Sequence, residues 1–165
     1  MRLSLHEHPH GVATEPGARV LYDIEANEAH FGAARVDGPA IVWEISGDDP
    51  HGWIVRCDRI DFPPGGIAYR HTHPGPGIRC LLHGSIRIES GGQTHVYEGL
   101  EPWFEAGPEP VLAVASATEE TAFVRAMLVP REWAGRRTIS YVDPADEEKP
   151  KLQRATVFFD EPIEL

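Results

Sequence analysis

Two histidines stand one residue apart in the segment GGIAYRHTHPGPGIRCLLHG, residues 65–84. In an extended strand, side chains at positions i and i+2 lie on one face, so His71 and His73 can direct both imidazoles into one cavity. Imidazole binds Fe, Mn, Ni, Cu and Zn, so the pair predicts a site for a divalent first-row transition metal without choosing among them. The triplet HEH at residues 6–8 has the same spacing. It lies in a polar terminus with no predicted strand around it, and we assign it no site.

Glycines frame the histidine pair and recur in a second segment downstream. The first frame runs Gly65, five residues, His71, one residue, His73, three residues, Gly77, six residues, Gly84. The second frame runs Gly99, five residues, Glu105, one residue, Gly107, two residues, Pro110. Taken together, the two spacings resemble the paired motifs of the cupin superfamily, over roughly residues 53–130.

The resemblance implies a fold and a partly degenerate metal motif. Cupins are small single-domain jelly-roll proteins, so we expect an all-β, double-stranded β-helix barrel with few short helices and a ligand cavity at one mouth. In the family the position of Gly77 is usually a glutamate ligand, and the positions of Glu105 and Pro110 are usually proline and histidine. Two neutral histidines with water would hold an ion weakly, so a third protein ligand is needed.

Arg79 and Glu105 are the candidate substrate-binding residues. Counting alternation from Gly77 places Arg79, and further along His83, on the face of the usual ligand, provided that no bulge intervenes. A buried guanidinium needs a protein carboxylate or an anionic ligand; a salt bridge at the barrel rim is the alternative for Arg79. Glu105 lies among aromatic residues in PWFEAGPEP, where it needs a cation, Arg79 or solvent as partner. We interpret His83 as structural.

Short β-rich runs separated by turn residues fill the chain, which contains 16 Gly and 15 Pro. The predicted strands are RVLYDI, PAIVWEIS, GWIVRCDRIDF, GIAYRHT, GIRCLLHGSIRIES, QTHVYE, PWFEAG, PVLAVAS, TAFVRAMLVP, RTISYV and RATVFF. In SIRIESGGQTHVYEG, Gly91-Gly92 predicts a hairpin turn. We divide the chain into a polar N-terminal segment (1–17), a barrel domain (18–142, with motifs 65–84 and 99–110), and an acidic loop with a C-terminal strand (143–165) that packs on the barrel or on a partner subunit.

Composition excludes several classes of function. The formal net charge is -11 with 15 Lys and Arg, which argues against nucleic acid and anionic membranes as partners. No apolar run is long enough for a signal sequence or a membrane span, so the prediction is a soluble, cytoplasmic protein. Cys57 and Cys80 lack metal-ligand spacing and are interpreted as buried apolar residues without a disulfide. No GxSxG, P-loop or GxGxxG sequence occurs.

Two functions remain open. The first is a metal-dependent cupin enzyme of oxygenase, isomerase or lyase type, in which His71 and His73 bind the metal and Arg79 orients a small anionic or aromatic molecule. The second is a non-catalytic cupin that binds or senses such a molecule at a decayed metal site. A homodimer is expected because cupins commonly pair and because the strands RVLYDI and RATVFF would otherwise leave exposed edges.

Overall fold

The computed structural model describes residues 20–31 and 51–163 in full, and the backbone of three further strands at residues 2–7, 10–13 and 40–42. Strands dominate the described residues, with two short 3-10 helices, Arg131–Trp133 and Pro144–Glu147. The strands are β1 (Arg2–Glu7), β2 (His10–Ala13), β3 (Val20–Asp23), β4 (Glu28–Phe31), β5 (Ala40–Val42), β6 (Trp53–Phe62), β7 (Ile67–Thr72), β8 (Gly77–His83), β9 (Ser85–Ser90), β10 (Gln93–Glu98), β11 (Pro102–Glu105), β12 (Val111–Ala115), β13 (Thr121–Pro130), β14 (Ser140–Tyr141) and β15 (Arg154–Ile163). The predicted all-β class is confirmed.

Two five-stranded antiparallel sheets form the barrel. Sheet A has the order β10-β9-β12-β7-β14, and sheet B has the order β11-β8-β13-β6-β15. Eight strands pair as one nested hairpin: β9 with β10, β8 with β11, β7 with β12 and β6 with β13, each pair antiparallel and successive pairs alternating between the sheets. A long hairpin wound in this way is a jelly roll, or double-stranded β-helix. It runs from residue 53 to residue 130, the span over which the cupin motifs were recognised.

Alternation of side chains along β6 divides its residues between two layers. In β6, Arg56, Asp58 and Ile60 face the barrel interior, whereas Val55 and Cys57 face outward into a second core. Since side chains in a strand point to alternate faces, one run of residues can line a cavity and build a core at the same time. The hairpin of β3 and β4 covers the outer face, where Tyr22 and other apolar residues pack against it.

One hydrophobic core lies between the two sheets. It contains apolar side chains from both sheets: Ile60, Phe62, Leu81, Trp103 and Phe123 from sheet B, and Ala68, Ile86, Ile88, Val111, Ala113 and Ala115 from sheet A. Aromatic contacts join its members, with the ring centroids of Trp103 and Phe123 5.2 Å apart. Most of these side chains also line the cavity described below.

Several other sequence predictions agree with the described residues, whereas the N-terminal segment 1–17 and the predicted strand PAIVWEIS lie partly outside them. Gly91 and Gly92 form the turn between β9 and β10 with φ of 57° and 72°, a conformation that glycine adopts without steric cost. The C-terminal strand β15 pairs with β6 of the same chain, and Cys57 and Cys80 are buried free thiols. The prediction that no strand surrounds HEH was wrong: the backbone of β1 pairs with β2 and β5. Leu3 and Leu5 are the only apolar residues of β1, so its period-two pattern is shorter than the search for apolar alternation requires.

Candidate functional site

The two sheets enclose a cavity of about 530 Å³ with an apolar part and a polar part. The apolar part is lined by Ile60, Phe62, Ala68, Ile88, Trp103, Val111, Ala113 and Phe123. The polar part is lined by Arg56, Asp58, His71, His73, Arg79, Glu105, Arg125, Thr138, Tyr141 and Gln153, among others. All four sequence-predicted site residues, His71, His73, Arg79 and Glu105, therefore line one cavity. This distribution is typical of a site for a small molecule with an apolar body and one polar group.

His71 lies in β7 and His73 just beyond it, and the structure brings their imidazoles together. Their Nε2 atoms are 3.2 Å apart, and the two residues are 4% and 6% exposed. Nδ1 of His71 lies 2.6 Å from the carbonyl oxygen of Tyr69, and Nδ1 of His73 lies 2.7 Å from that of Thr138. A carbonyl oxygen only accepts hydrogen bonds, so both Nδ1 atoms are the donors.

Both imidazoles are held in the neutral form. Burial, opposed by the Tyr69 carbonyl and Glu105, lowers the pKa of His71 to about 4. Burial, followed by the positive charges of Arg125 and Arg79, lowers the pKa of His73 well below its ordinary value. A neutral ring that carries its proton on Nδ1 has a lone pair on Nε2. Two lone pairs therefore face each other, with Arg125 Nη1 at 3.5 Å from Nε2 of His73 as a weak donor.

Arg79 has a carboxylate partner within the protein. Its Nη2 lies 2.7 Å from Oε2 of Glu105, although the two are not aligned as a hydrogen bond and neither atom has another hydrogen-bond partner among the described residues. Burial lowers the pKa of Arg79 to about 10, against the attraction of Glu105, so the guanidinium remains charged at neutral pH. Glu105 also accepts a hydrogen bond from Trp103 Nε1 at 2.8 Å. The partner of Arg79 is therefore the protein carboxylate Glu105, one of the partners that a buried guanidinium was expected to need.

Glycine at position 77 makes room for Arg79. A Cβ built on Gly77 would lie 2.8 Å from Cγ of Met127, 3.0 Å from the carbonyl oxygen of Ala126 and 3.1 Å from Nη1 of Arg79. Arg79 Nη1 also donates to the Gly77 carbonyl oxygen at 2.6 Å. The guanidinium therefore fills the space into which a side chain at position 77 would extend.

Sequence reasoning missed a second buried ion pair beside the histidines. Arg125 donates from Nε and Nη2 to the two carboxylate oxygens of Asp58, at 2.8 and 2.6 Å. Burial alone would lower the pKa of Arg125, but Asp58 raises it above its ordinary value. A signal was available: Arg125 is the one charged residue of TAFVRAMLVP, and a buried charge requires a partner of opposite sign, which Asp58 of WIVRCDRIDF can supply.

His83 lies at the opposite end of β8, away from the imidazole pair. The register of β8 against β13 shifts between Ala122 and Phe123, so a bulge breaks the alternation counted from Gly77. His83 is exposed and contacts Arg59 Nη2 at 3.4 Å and the carbonyl oxygen of Glu120 at 3.2 Å. Its position agrees with the structural role predicted for it.

The donor set fits a metal ion in part. An ion about 2.1 Å from two imidazole nitrogens requires a separation of about 3.0–3.4 Å between neighbouring ligand atoms, and the two Nε2 atoms meet this condition. Glu105 Oε2 lies 3.7 Å from Nε2 of His73, so a small movement of this side chain would bring it to a third position. As they stand, no three His, Cys, Asp or Glu side chains among residues 20–31 and 51–163 are arranged to hold an ion. The site thus offers two imidazole nitrogens at a separation that an ion could bridge, and one carboxylate nearby.

Comparison with known proteins gives matches only among solved structures. No family model matches the chain, and no curated protein matches it. The polyketide cyclase RemF from Streptomyces resistomycificus is 19% identical, with a TM-score of 0.47 over 84% of this chain and 85% of that one. An RmlC-like cupin from Shewanella frigidimarina is 15% identical (TM-score 0.43, 80% and 97%). An oxalate oxidase is 18% identical (TM-score 0.44, 67% and 73%).

Within the described residues, no helix is long and apolar enough to cross a membrane. Nested pairing of β6 to β13 builds a double-stranded β-helix, and His71 and His73 are directed into its cavity. The chain therefore has the jelly-roll fold that its resemblance to cupins predicts.

Proposed function

We propose that this protein is a cupin enzyme that uses a divalent first-row transition metal, held by His71 and His73, to act on a small molecule bound in the barrel cavity. The observation that carries the proposal is the opposition of two lone-pair nitrogens 3.2 Å apart in a buried site. Two such nitrogens repel each other unless a cation or a proton lies between them, and burial disfavours the proton. A bound metal ion would relieve the repulsion.

The second shell of the histidines supports a role as ligands. In metal sites the imidazole nitrogen that does not bind the ion commonly donates to a carbonyl or carboxylate oxygen, which fixes the tautomer and orients the ring. The carbonyl oxygens of Tyr69 and Thr138 are in position to do this for His71 and His73. Both rings therefore present Nε2 without any rearrangement of their own hydrogen bonds.

Glu105 is the third ligand in this proposal, and Arg79 holds it in place. The usual cupin carboxylate is absent at Gly77, and Glu105 enters the same region from β11, which pairs with β8. Arg79 keeps a positive charge beside the carboxylate, at 2.7 Å. When bound, the metal would act as a Lewis acid or as an oxygen-activating centre. Two imidazoles and one carboxylate are the ligand set typical of non-haem iron sites with open positions.

The ligand in the proposal is a small, mainly apolar molecule, most suitably aromatic, with one oxygen-bearing polar group. Phe62, Trp103 and Phe123 supply aromatic faces and edges to the apolar part of the cavity. The polar group would face the imidazoles, Arg125 and Glu105. Arg79 and Arg125 already have carboxylate partners. An anionic group on the ligand would therefore gain less binding energy beside them than it would beside an unpaired guanidinium. Cytoplasmic location remains a prediction.

A non-catalytic binding protein is the second candidate, and one observation favours it. Arg79 and Arg125 lie close to the imidazoles, and both lower the pKa of His73 through their positive charge. The same charges disfavour a bound cation. In this case the cavity would bind its ligand without metal, and the imidazoles would serve as hydrogen-bond acceptors through Nε2.

Metal binding separates the two candidates. The purified protein is stripped with a chelator, and binding of Fe²⁺, Mn²⁺, Ni²⁺, Cu²⁺ and Zn²⁺ is measured by calorimetry and elemental analysis. We expect one ion per chain, loss of binding in His71→Ala/His73→Ala, and weaker binding in Glu105→Gln. His95→Ala is the matched control, because His95 is exposed on β10 and outside the cavity lining. Equal metal content in the wild type and the double variant, or no binding by the wild type, would overturn the enzyme proposal.

A further inference from the structure

A third buried ion pair lies at the edge of the cavity, away from the imidazoles. Arg56 of β6 donates from Nε and Nη2 to the two oxygens of Asp160 in β15, both at 2.6 Å. Arg56 is 3% exposed. The hydrogen bonds from Arg56 and from the Gly135 amide outweigh the effect of burial and lower the pKa of Asp160 below its ordinary value. The pair joins β6 to β15, the strand at one edge of sheet B.

A bulge in β15 creates this contact. The register of β15 against β6 shifts between Val157 and Phe159. Val157 and Asp160 both line the cavity, three positions apart, whereas Phe159 packs in the outer core against Phe31. Regular alternation from Val157 would have turned Phe159 inward and Asp160 outward. The extra residue thus brings a carboxylate to Arg56.

The other hydrogen bonds of the pair go to the backbone of one segment, residues 133–138, which we call the strap. Arg56 Nη1 donates to the carbonyl oxygen of Arg136 at 2.6 Å, and Nη2 donates to that of Trp133 at 3.2 Å. The amide of Gly135 donates to Oδ2 of Asp160 at 2.7 Å. Three backbone groups within four residues are therefore fixed by one buried ion pair.

The strap ends at Thr138, whose carbonyl oxygen accepts the hydrogen bond from Nδ1 of His73. Thr138 is buried, and its Oγ1 lies 3.5 Å from Arg125 Nη2. His71 differs in this respect, because its Nδ1 donates to Tyr69 within the same strand, β7. The orientation of His73 thus depends on a segment distant in sequence, and that of His71 does not.

We propose that Arg56 and Asp160 are positioning residues that set the tautomer and ring orientation of His73 through the strap. The inference rests on the proposed role of His73 as a ligand. When the strap loses its anchor, Thr138 no longer offers its carbonyl oxygen at a fixed place, and the proton of the neutral ring is free to move from Nδ1 to Nε2. A proton on Nε2 removes the lone pair that a metal or a ligand would use.

The test reads the tautomers of both histidines directly. In metal-free protein at pH 8, ring ¹⁵N chemical shifts are measured for the wild type, Asp160→Asn and Arg56→Lys. We expect His71 and His73 of the wild type to carry the proton on Nδ1. In both variants His73 should shift to the Nε2-protonated or a mixed form, while His71 keeps its wild-type shifts. His71 is therefore an internal control for the integrity of the barrel.

Asp61→Asn is the matched control variant. Arg59 and Asp61 form a similar pair in the same strand, with Arg59 Nε 2.9 Å from Asp61 Oδ1, and neither residue contacts the strap in the described part of the chain. Asp61→Asn should leave both tautomers unchanged. An unchanged His73 tautomer in Asp160→Asn and Arg56→Lys would overturn the inference, as would Nε2 protonation of His73 in the wild type.

A second measurement separates this inference from the proposed function. If the protein binds a metal, Zn²⁺ affinity should fall in Asp160→Asn and remain unchanged in Asp61→Asn. The fall should be no larger than the about 10- to 100-fold that is typical when a direct outer-shell partner of a ligand is removed. If the wild type binds no metal, the proposed enzyme fails, but the ¹⁵N shifts still decide whether the ion pair positions His73. Altered affinity with an unaltered His73 tautomer would overturn the inference and leave the metal site intact.

Discussion

The Arg79 guanidinium occupies the space beside Gly77 that a side chain at position 77 would need, with Nη1 at 3.1 Å from an ideal Cβ. A side chain at position 77 would therefore have to displace this guanidinium. Negative charge is still present near the imidazoles, but it comes from β11 instead of β8.

Gly77→Ala should destabilise the protein. The new methyl group would meet the Ala126 carbonyl oxygen at 3.0 Å and the Met127 Cγ at 2.8 Å, and the backbone of β13 yields less readily than a side chain. Overpacking of this kind costs about 1–3 kcal/mol in the free energy of unfolding. Urea denaturation monitored by tryptophan fluorescence measures the change. Wild-type stability in Gly77→Ala would contradict the steric argument.

Breaking the Arg79–Glu105 pair should destabilise the protein more than breaking an exposed pair. Glu105→Gln leaves a buried guanidinium without its countercharge, and Arg79→Met leaves a buried carboxylate, each costing about 3–5 kcal/mol. The double variant should cost less than the sum of the two, which a double-mutant cycle would detect.

The exposed pair Arg87–Glu89 in β9 provides the control for this cycle, because its side chains are 42% and 27% exposed. Arg87→Met and Glu89→Gln should each change the free energy of unfolding by about 1 kcal/mol or less. Equal effects of the two pairs would show that the Arg79–Glu105 contact contributes no more than surface ion pairs do.

Period-two patterns predicted most strands of the barrel, and the spacing of His71 and His73 by two residues predicted that they share one face. Both are local features, because alternation and motif spacing can be read from residues that lie close together in the sequence. What the sequence did not reveal depends on distant pairing: the carbonyl of Thr138 beside His73, and Asp160 turned inward by a bulge in β15. No local pattern specifies which carbonyl oxygen from 65 residues away will meet an imidazole. The ion pair Asp58–Arg125 could be predicted only in part. The sequence shows both charged residues, but their pairing depends on the register of β6 against β13.

We predict that the protein is a homodimer through the edge of β15. This strand ends sheet B, and Val157 on it is 50% exposed. Unpaired strand edges favour association. Light scattering should give twice the mass of one 18.3 kDa chain, and Val157→Lys should yield monomer.

The matched control is Val96→Lys on β10, the edge strand of sheet A, where Val96 is 49% exposed. This variant should remain dimeric. A wild-type monomer at micromolar concentration would contradict the prediction of a dimer, and dissociation by Val96→Lys alone would assign the interface to the other sheet.

The metal-free protein should lose stability between pH 6.5 and pH 4. Above the ordinary histidine pKa of 6.5, folded and unfolded chains both have neutral His71, and its ionisation has no effect on folding. Below that pH, His71 is protonated in the unfolded chain but stays neutral in the folded protein until about pH 4, because burial lowers its pKa. The free energy of unfolding therefore falls as the pH falls, by on the order of 3 kcal/mol for His71 once the pH is below 4.

Chemical denaturation across this range should show a smaller decline in His71→Gln, which cannot titrate, and the full decline in His95→Gln, whose ring is exposed on β10. The same decline in wild type and His71→Gln would contradict the assignment of the effect to this buried imidazole.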